Sequence, residues 1–484
     1  MKVVSIRAQN FKTIRDLDMQ DIGGLTVLIG KNNSGKTNVL ETITYFSKES
    51  YEIERFSKED KAATIHLELA LTPQEAKELG GAARAAILVL DHTPKAGKTA
   101  TLDGKALDPE TVAKYLKSHV LHIDTARIFL PEVSESGKSL ALDKGLERLS
   151  GQISFERAQR DFHELKLTHP KLFTNVQEGL KTAFPNIHYA LDEHLLTALH
   201  EEREHPEAQP TITDAEKHVE LERMGAGYLQ IFSLILYAYH PKYSILLIDE
   251  PETHLHPALQ KKLLELFRGV SAVKQIFLTT HSPSFVSAEH LSELRRVVRT
   301  DSHGTEYFPK KLKGVDVNRL VQELNPDSSE LFFADVVLLV EGEADRILMR
   351  GLLERFGSGT REIKVVATHS NTNFEVYDEL LSLYNIPHVI MTDFDSLRSR
   401  VPFIDHALLG KRYRAIQDAL PILATKRIVV LPFGALEDFY PKKYQNRPTK
   451  PLNALNAAQN VTEEEYTSKR MMPLRRVVEL CERV

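Results

Sequence analysis

The chain has 484 residues, with 62 Lys/Arg against 67 Asp/Glu, a formal net charge of −5, 42% hydrophobic and 27% charged residues. That length exceeds one ordinary core, so two or three domains are expected, and the composition is globular, with no low-complexity tract. The single cysteine, Cys481, excludes an intramolecular disulfide, and no run approaches the roughly 18–20 apolar residues of a membrane span; a soluble cytoplasmic protein without membrane attachment is expected.

In chain order, Met1–Arg7 reads as a first strand rather than as the apolar segment of a signal peptide. Leu25–Gly30 is a short apolar run ending in glycine, a buried strand, and a helix starts near Lys36. Strands follow at Thr64–Leu71, Ala85–Leu90 and Val120–Asp124. From about Leu140 to His240 the pattern is mostly helical, broken at Pro170, Pro185, Pro206 and Pro210. His200–Glu207 is a polar segment that reads as an exposed loop or helix end. Tyr243–Asp249 (strand), His256–Arg268 (helix) and Gln275–Thr280 (strand) come next, and Asn325–Ser329 looks like a boundary. Beyond it, strands at Asp335–Val340, Ile363–Ala367, His388–Thr392 and Arg427–Leu431 alternate with helices at Asp345–Phe356 and Phe374–Tyr384, an α/β pattern with a largely parallel sheet. Residues 396–484 carry 16 Lys/Arg against 9 Asp/Glu, a balance suited either to phosphate neutralisation or to an ordinary solvated face.

Gly30-Lys31-Asn32-Asn33-Ser34-Gly35-Lys36-Thr37 matches the P-loop pattern between strand and helix. Its glycines let backbone N–H groups curl around a phosphate at a helix N-terminus; Lys36 reaches the β- and γ-phosphates and Thr37 ligates Mg²⁺. Gly30, Asn32, Asn33, Ser34, Gly35, Lys36 and Thr37 are therefore the expected ATP-binding loop. Ile245–Glu250 is an apolar strand ending in two carboxylates. Asp249 suits the Mg²⁺ shell and Glu250 the polarisation of attacking water. His281, after the strand Gln275–Thr280, is placed to contact the γ-phosphate.

The order of these motifs resembles the ABC-type ATPase heads of the SMC, RecF and OLD group. The resemblance implies that Glu222–Gln230, just before the acidic strand, occupies the place of the signature loop that reaches a partner subunit's ATP. Its residues depart from the Leu-Ser-Gly-Gly-Gln form of transporters. It also implies that Val120–Asp124 with Arg127 stands in for the Q-loop region, and that the protein dimerises around ATP.

Val336–Asp345 is an apolar strand followed by Glu341, Gly342, Glu343 and Asp345, and Val389–Asp395 is a second strand ending in Asp393 and Asp395. Carboxylates at the carboxyl ends of parallel strands form an oxygen-rich pocket for Mg²⁺ or Mn²⁺. Helix-dipole preference explains Glu341 and Glu343 alone, but not the two aspartates. For Asp393 and Asp395 to converge on one ion the chain is expected to turn there, as Ser396 and the polar residues after it allow.

The pair resembles a TOPRIM domain, and a P-loop head followed by TOPRIM resembles the OLD-family nucleases, including large subunits of some phage-defence systems. That resemblance implies metal ligands Thr37 and Asp249 at the ATP site, and Glu341, Asp345, Asp393, Asp395 and Glu437 at the nuclease site. A basic residue near the C-terminus is also implied, with Lys469 a match and Lys442, Lys443 and Arg447 competing. The expected fold is α/β: an ABC-type P-loop ATPase domain over 1–325, with a helical insertion and dimerisation region near 140–210, then a smaller TOPRIM-like domain over 333–484. The expected cofactors are ATP and Mg²⁺ or Mn²⁺, and the expected partners DNA rather than RNA, a second copy, and a helicase-like or other defence-system protein. The alternative is a nucleotide-dependent sensor or scaffold whose TOPRIM fold recruits a partner and cuts nothing.

Overall fold

A computed structural model describes residues 1–47, 63–125, 155–184, 187–190, 211–214, 217–220, 226–300, 304–308, 328–399, 401–410 and 416–484. The chain divides into two compact units, Met1–Phe285 with Glu293–Lys310, and Val286–Ser292 with Lys311–Val484. The short segment Val286–Ser292 thus joins the second unit, where the Tyr384 hydroxyl donates to the Leu291 carbonyl at 2.9 Å.

The first unit holds strands β1 (Lys2–Phe11), β2 (Ile14–Met19), β3 (Leu25–Ile29), β4 (Thr64–Leu71), β5 (Ala86–Thr93), β6 (Gly97–Leu102), β7 (Lys105–Leu107), β8 (Val120–Asp124), β9 (Ile187–Ala190), β10 (Thr211–Asp214), β11 (Lys217–Glu220), β12 (Ile245–Asp249), β13 (Gln275–Thr280), β14 (Leu294–Thr300) and β15 (Gly304–Phe308). Twelve of them form one sheet in the order β7-β6-β5-β4-β1-β2-β15-β14-β3-β13-β12-β8. Its two wings differ for a reason readable in the residues. β4 alternates half-buried and buried positions, the mark of an antiparallel strand with one core face. β3 (Leu-Thr-Val-Leu-Ile) and β13 (Gln-Ile-Phe-Leu-Thr-Thr) are buried at every position, as parallel strands covered on both faces are. β14, β3, β13, β12 and β8 run parallel, so their carboxyl ends share one edge.

The expectation of a mostly helical stretch from 140 to 240 is corrected in part. Helices cover Phe155–Thr168, Pro170–Ala183 and Ala226–Tyr239, but β9, β10 and β11 pair antiparallel in a separate three-stranded sheet. Ile187-His-Tyr and Thr211-Ile-Thr are β-branched and aromatic clusters, and Pro185 and Pro210 precede them, so prolines that read as helix breaks also announce strands. Residues 140–154, 185–186 and 191–210 of the expected insertion lie outside the described residues. The β14–β15 hairpin was not expected either.

In the second unit, β16 (Val336–Val340), β17 (Ile363–Ala367), β18 (His388–Thr392) and β19 (Ile428–Val430) form a parallel sheet in the order β17-β16-β18-β19. Val336, Leu338 and Val340 share a core with the helices Glu343–Phe356, Lys450–Asn460 and Met472–Arg483. Strand order reverses between β16 and β18, so a crevice opens at their carboxyl ends, the usual ligand position in open α/β sheets. Among the described residues no helix is long and apolar enough to cross a membrane.

Candidate functional site

The first site lies along the carboxyl ends of β3, β13, β12 and β8. After β3 the P-loop turns into the helix Lys36–Thr44, whose N-cap Gly35 is left-handed (φ 101°) and which no side chain caps. A helix start of this kind offers its backbone donors and its dipole to an anion. A Cβ at Gly30 would strike the Val297 carbonyl and the Ser34 hydroxyl. Asn32 and Asn33 are exposed at the loop tip, Asn33 with φ 63°, and Ser34 is buried beneath them.

Lys36 is buried, and its ammonium donates to the carbonyls of Gly30 (2.8 Å) and Lys31 (2.9 Å). Burial pulls its pKa below the ordinary lysine value, while Glu250, Asp249 and Glu252 work in the opposite direction. The Thr37 hydroxyl donates to Asp249 Oδ2 at 2.8 Å, and the Thr279 hydroxyl donates to Asp249 Oδ1. Hydroxyl and carboxylate thus stand side by side, a pair that could hold a divalent cation. The Thr125 hydroxyl, just past β8, donates to the carbonyls of Asp249 (2.8 Å) and Glu250 (2.6 Å). Glu250 takes φ 50°, a left-handed conformation that costs a non-glycine residue about 1 kcal/mol or more and is found disproportionately at functional sites. His281 follows β13, and its Nδ1 lies 3.6 Å from Glu250 Oε1 and 3.2 Å from Glu252 Oε1.

Glu252 is the member that sequence reasoning missed. Its Oε1 accepts from the Thr280 hydroxyl (2.7 Å) and the His281 amide (2.8 Å), while its buried Oε2 has no hydrogen-bond partner. Burial raises its pKa. The Pro-Glu step after the acidic pair was visible, but nothing in sequence separates this carboxylate from a solvated one. Gln230 Nε2 donates to the Pro251 carbonyl at 2.8 Å, tying the helix Ala226–Tyr239 to the same loop. Glu222–Gly225 and Arg127 lie outside the described residues.

The second site sits at the β16/β18 crevice. Glu341 follows β16, and Gly342 then starts the helix Glu343–Phe356, with its amide donating to Asp345 Oδ2 at 2.8 Å. β18 ends at Thr392, Asp393 makes the turn, and a helix runs from Phe394 to Ser399, so Asp395 lies in its first turn. The required bend is therefore the strand-to-helix junction. It is pinned by the Ser396 amide on the Asp393 carbonyl (3.3 Å) and the Thr392 hydroxyl on Ser396 Oγ (2.7 Å). Glu437 arrives from the short 3₁₀ helix Leu436–Phe439.

These carboxylates act on one another's ionisation. Burial pushes Asp393 up to about 7, with further upward pressure from Asp345, Glu341, Asp395 and Glu437. Asp345 is pushed up to about 6 by burial and then by Glu437. Glu341 is raised by burial, Asp395 and Asp345, and its buried Oε2 has no hydrogen-bond partner. Among the described residues no three His, Cys, Asp or Glu side chains stand in ready-made metal-ligand geometry. Like charges without a counter-ion hold apart. The donor set nonetheless fits a hard divalent cation, being carboxylate oxygens with one buried oxygen unclaimed.

Glu343 instead turns to Arg346, with Oε2 accepting at 2.8 Å. The cation that the fold brings to the cluster is Lys450, 3.0 Å from Glu437 Oε1, with Asp393 and Asp345 also raising its pKa. Of the expected basic residues, Lys443 pairs with Glu465 at 2.6 Å, and Lys442, Arg447 and Lys469 are exposed. Lys450 was missed because it is the first residue of a helix whose docking is set by tertiary contacts.

Comparison with known proteins bears on both units. Residues 1–128 and 112–286 match the family described as AAA ATPase domain. Residues 332–395 match the TOPRIM domain of overcoming lysogenization defect protein-like proteins. The Old nuclease of Escherichia phage P2 is 20% identical over 483 residues, covering 84% of this chain and 79% of that one. Endonuclease GajA of Bacillus cereus (strain VD045) is 28% identical over 238 residues, covering 46% of this chain but only 39% of GajA. Among solved structures, an SMC head bound to the C-terminal winged-helix domain of ScpA aligns with a TM-score of 0.46 at 14% identity, over 65% of this chain and 98% of that one. An ATPase-type nucleotide site and a TOPRIM-type carboxylate crevice are therefore joined in a single polypeptide, and the chain belongs to the AAA ATPase domain family, with an OLD-like TOPRIM domain following.

Proposed function

We propose that this chain is an ATP-hydrolysing, divalent-metal-dependent nuclease that cuts DNA phosphodiesters and works in the cytoplasm, in phage defence or DNA processing. The reading is supported by Glu341 and Asp393 following the carboxyl ends of the paired strands β16 and β18, with Asp345, Asp395 and Glu437 opposing their ionisation and Lys450 3.0 Å from Glu437. These residues would hold a divalent cation, Mg²⁺ or Mn²⁺, which would supply Lewis acidity to a phosphodiester and acidify a water nucleophile. Glu341, Asp393 and Asp395 supply the anionic oxygens, Asp345 and Glu437 extend the set towards a second ion, and Lys450 offers a positive charge to the phosphate. At the other site Lys36 and the P-loop amides hold the ATP phosphates. Thr37 with Asp249 holds Mg²⁺, and Glu250 orients the attacking water beside His281. A homodimer would complete each ATP site with the other copy's Glu222–Gln230 segment, as the ABC-type resemblance implies, and residues 140–210 would add to that contact. A helicase-like protein is the expected further partner.

The kinship of the chain to Old nuclease and endonuclease GajA supports the nuclease reading. The scaffold alternative draws on one observation, that the described carboxylates are not closed around a ready-made ion position. Incubating the chain with plasmid, linear DNA and RNA, with Mg²⁺, with Mn²⁺ and with EDTA, separates the two. Metal-dependent cleavage of DNA is expected, and no cleavage under any of these conditions would favour the scaffold.

A further inference from the structure

The loop leaving β19 carries an aromatic ring that the reactions proposed above do not use. Phe433 is 56% exposed, although the neighbouring core of the second unit buries Leu431, Leu436 and Phe439 almost completely. One side of its ring is seated on Phe439, with centroids 4.8 Å apart and planes inclined by 32°. The loop is fixed in shape. Gly434 is left-handed (φ 59°), and a Cβ there would collide with the Asp438 carboxylate. That carboxylate accepts from the Ala435 amide at 3.1 Å. Asp438 therefore closes the turn that both presents Phe433 and starts the 3₁₀ helix bearing Glu437. Exposure of a phenyl ring is unfavourable in water, and here the ring stands beside a turn closed by the Asp438 carboxylate.

Strand pairing places this ring at the rim of the carboxylate crevice: Thr392 at the end of β18 pairs with Val430 at the end of β19, so Asp393 and Phe433 leave neighbouring parallel strands at the same edge. Glu437 lies four residues on, within the helix that supports Phe433. Lys450 adds a cation at the same rim, paired with Glu437 at 3.0 Å. A planar apolar face, a cation and a set of metal-binding oxygens side by side match the three parts of a nucleotide: base, phosphate and scissile ester. We infer that Phe433 is a stacking platform for a nucleobase flanking the bond to be cut. The inference rests on the nucleic-acid reading above and adds to it the part of the substrate that the ring contacts. Aromatic stacking is tolerant of base identity because every base has a π-face, so the platform positions single-stranded or unstacked substrate without reading sequence.

The test uses the full-length chain with Ca²⁺ and a single-stranded oligonucleotide carrying one 2-aminopurine, whose fluorescence falls on stacking. Wild type is expected to quench the probe. Phe433→Ala and Phe433→Leu should lose the quenching and bind roughly tenfold more weakly, about 1.4 kcal/mol. Phe433→Trp should restore both. Phe433→Leu keeps the apolar contact with Phe439, so its defect cannot come from an unseated loop. ATP hydrolysis, which belongs to the other unit, should be unchanged in all three. Equal quenching and affinity in wild type and Phe433→Leu, alongside DNA cleavage by wild type, overturns the platform while leaving the nuclease reading intact. A change of oligomeric state with quenching unchanged assigns Phe433 to a contact between copies and likewise overturns it. Failure of wild type to bind or cut any nucleic acid removes the platform together with the reading on which it rests.

Discussion

The two sites use carboxylates in opposite ways. At the P-loop, Asp249 accepts from Thr37 and Thr279, Glu252 from Thr280 and the His281 amide, and Lys36 adds a nearby positive charge. The site holds its shape through its own donors. In the TOPRIM crevice Asp345 accepts from the Gly342 amide and Glu437 meets Lys450, while the charges of Glu341, Asp393 and Asp395 oppose one another's ionisation, and Asp393 and Asp345 are pushed up to about 7 and 6. A site whose carboxylates are mostly met by its own donors and by Lys36 suits an anionic nucleotide. One whose charges are mutually repulsive stores affinity for a cation.

The sharpest way to break this comparison is to remove one charge from the crevice. Asp393→Ala should lower DNA cleavage by roughly a thousandfold, the several kcal/mol that a metal-held site contributes, and leave ATP hydrolysis within about twofold. Equal cleavage by wild type and Asp393→Ala would place the nuclease chemistry elsewhere. EDTA does not make this distinction, since both sites need a divalent ion.

Within the ATP site the members divide by task. Glu250→Gln should retain nucleotide binding and slow hydrolysis by about a hundredfold or more, because only the group orienting water changes. Lys36→Ala should instead weaken binding, which nucleotide titration would detect. Normal turnover in Glu250→Gln would show that the acidic strand end has been given the wrong role. With Glu250→Gln and ATP bound, light scattering should give at least a dimer rather than the 54.8 kDa chain mass.

Proton competition supplies a gentler test. Asp393 and Asp345 have folded pKa values above their ordinary one, so between about pH 4 and 7 the folded apoprotein binds more protons than the unfolded chain. Their contribution to stability therefore falls as pH rises through that window. A divalent cation must displace those protons, so the increase in Tm on adding Mn²⁺ should be small at pH 5.5, grow through pH 6–7 and level off by pH 8. An increase independent of pH would mean that the ion binds elsewhere. Asp393→Ala should flatten the profile.

The smallest effect is expected at Glu252. Its raised pKa and unpartnered Oε2 make Glu252→Gln nearly isosteric, with a change in stability below about 1 kcal/mol, whereas Glu252→Ala leaves Thr280 and the His281 amide without their acceptor and should cost about 1–3 kcal/mol. Denaturant melts of the two variants would show whether the carboxyl acts as a hydrogen-bond acceptor or as a charge.

The sequence by itself determined those features that are local in the chain. Strand, glycine turn and helix follow one another within about twenty residues at both Leu25–Thr44 and Val336–Phe356. Backbone sterics and apolar runs act at that range, so the P-loop, the Glu341–Asp345 segment and the strand ends at Asp249 and Asp393 were legible. β4, β8, β13, β17 and β18 begin and end where apolar periodicity placed them. Tertiary structure alone decided what each strand lies beside. It set β13 between β3 and β12, which brings His281 to Glu250 and Glu252. It inserted the β14–β15 hairpin between β2 and β3, and it brought Lys450 to Glu437. Pairing order and helix docking depend on contacts between residues tens to hundreds of positions apart. Local sequence limits those contacts through register and burial, but only the packed core, where each apolar face must find another, selects among them.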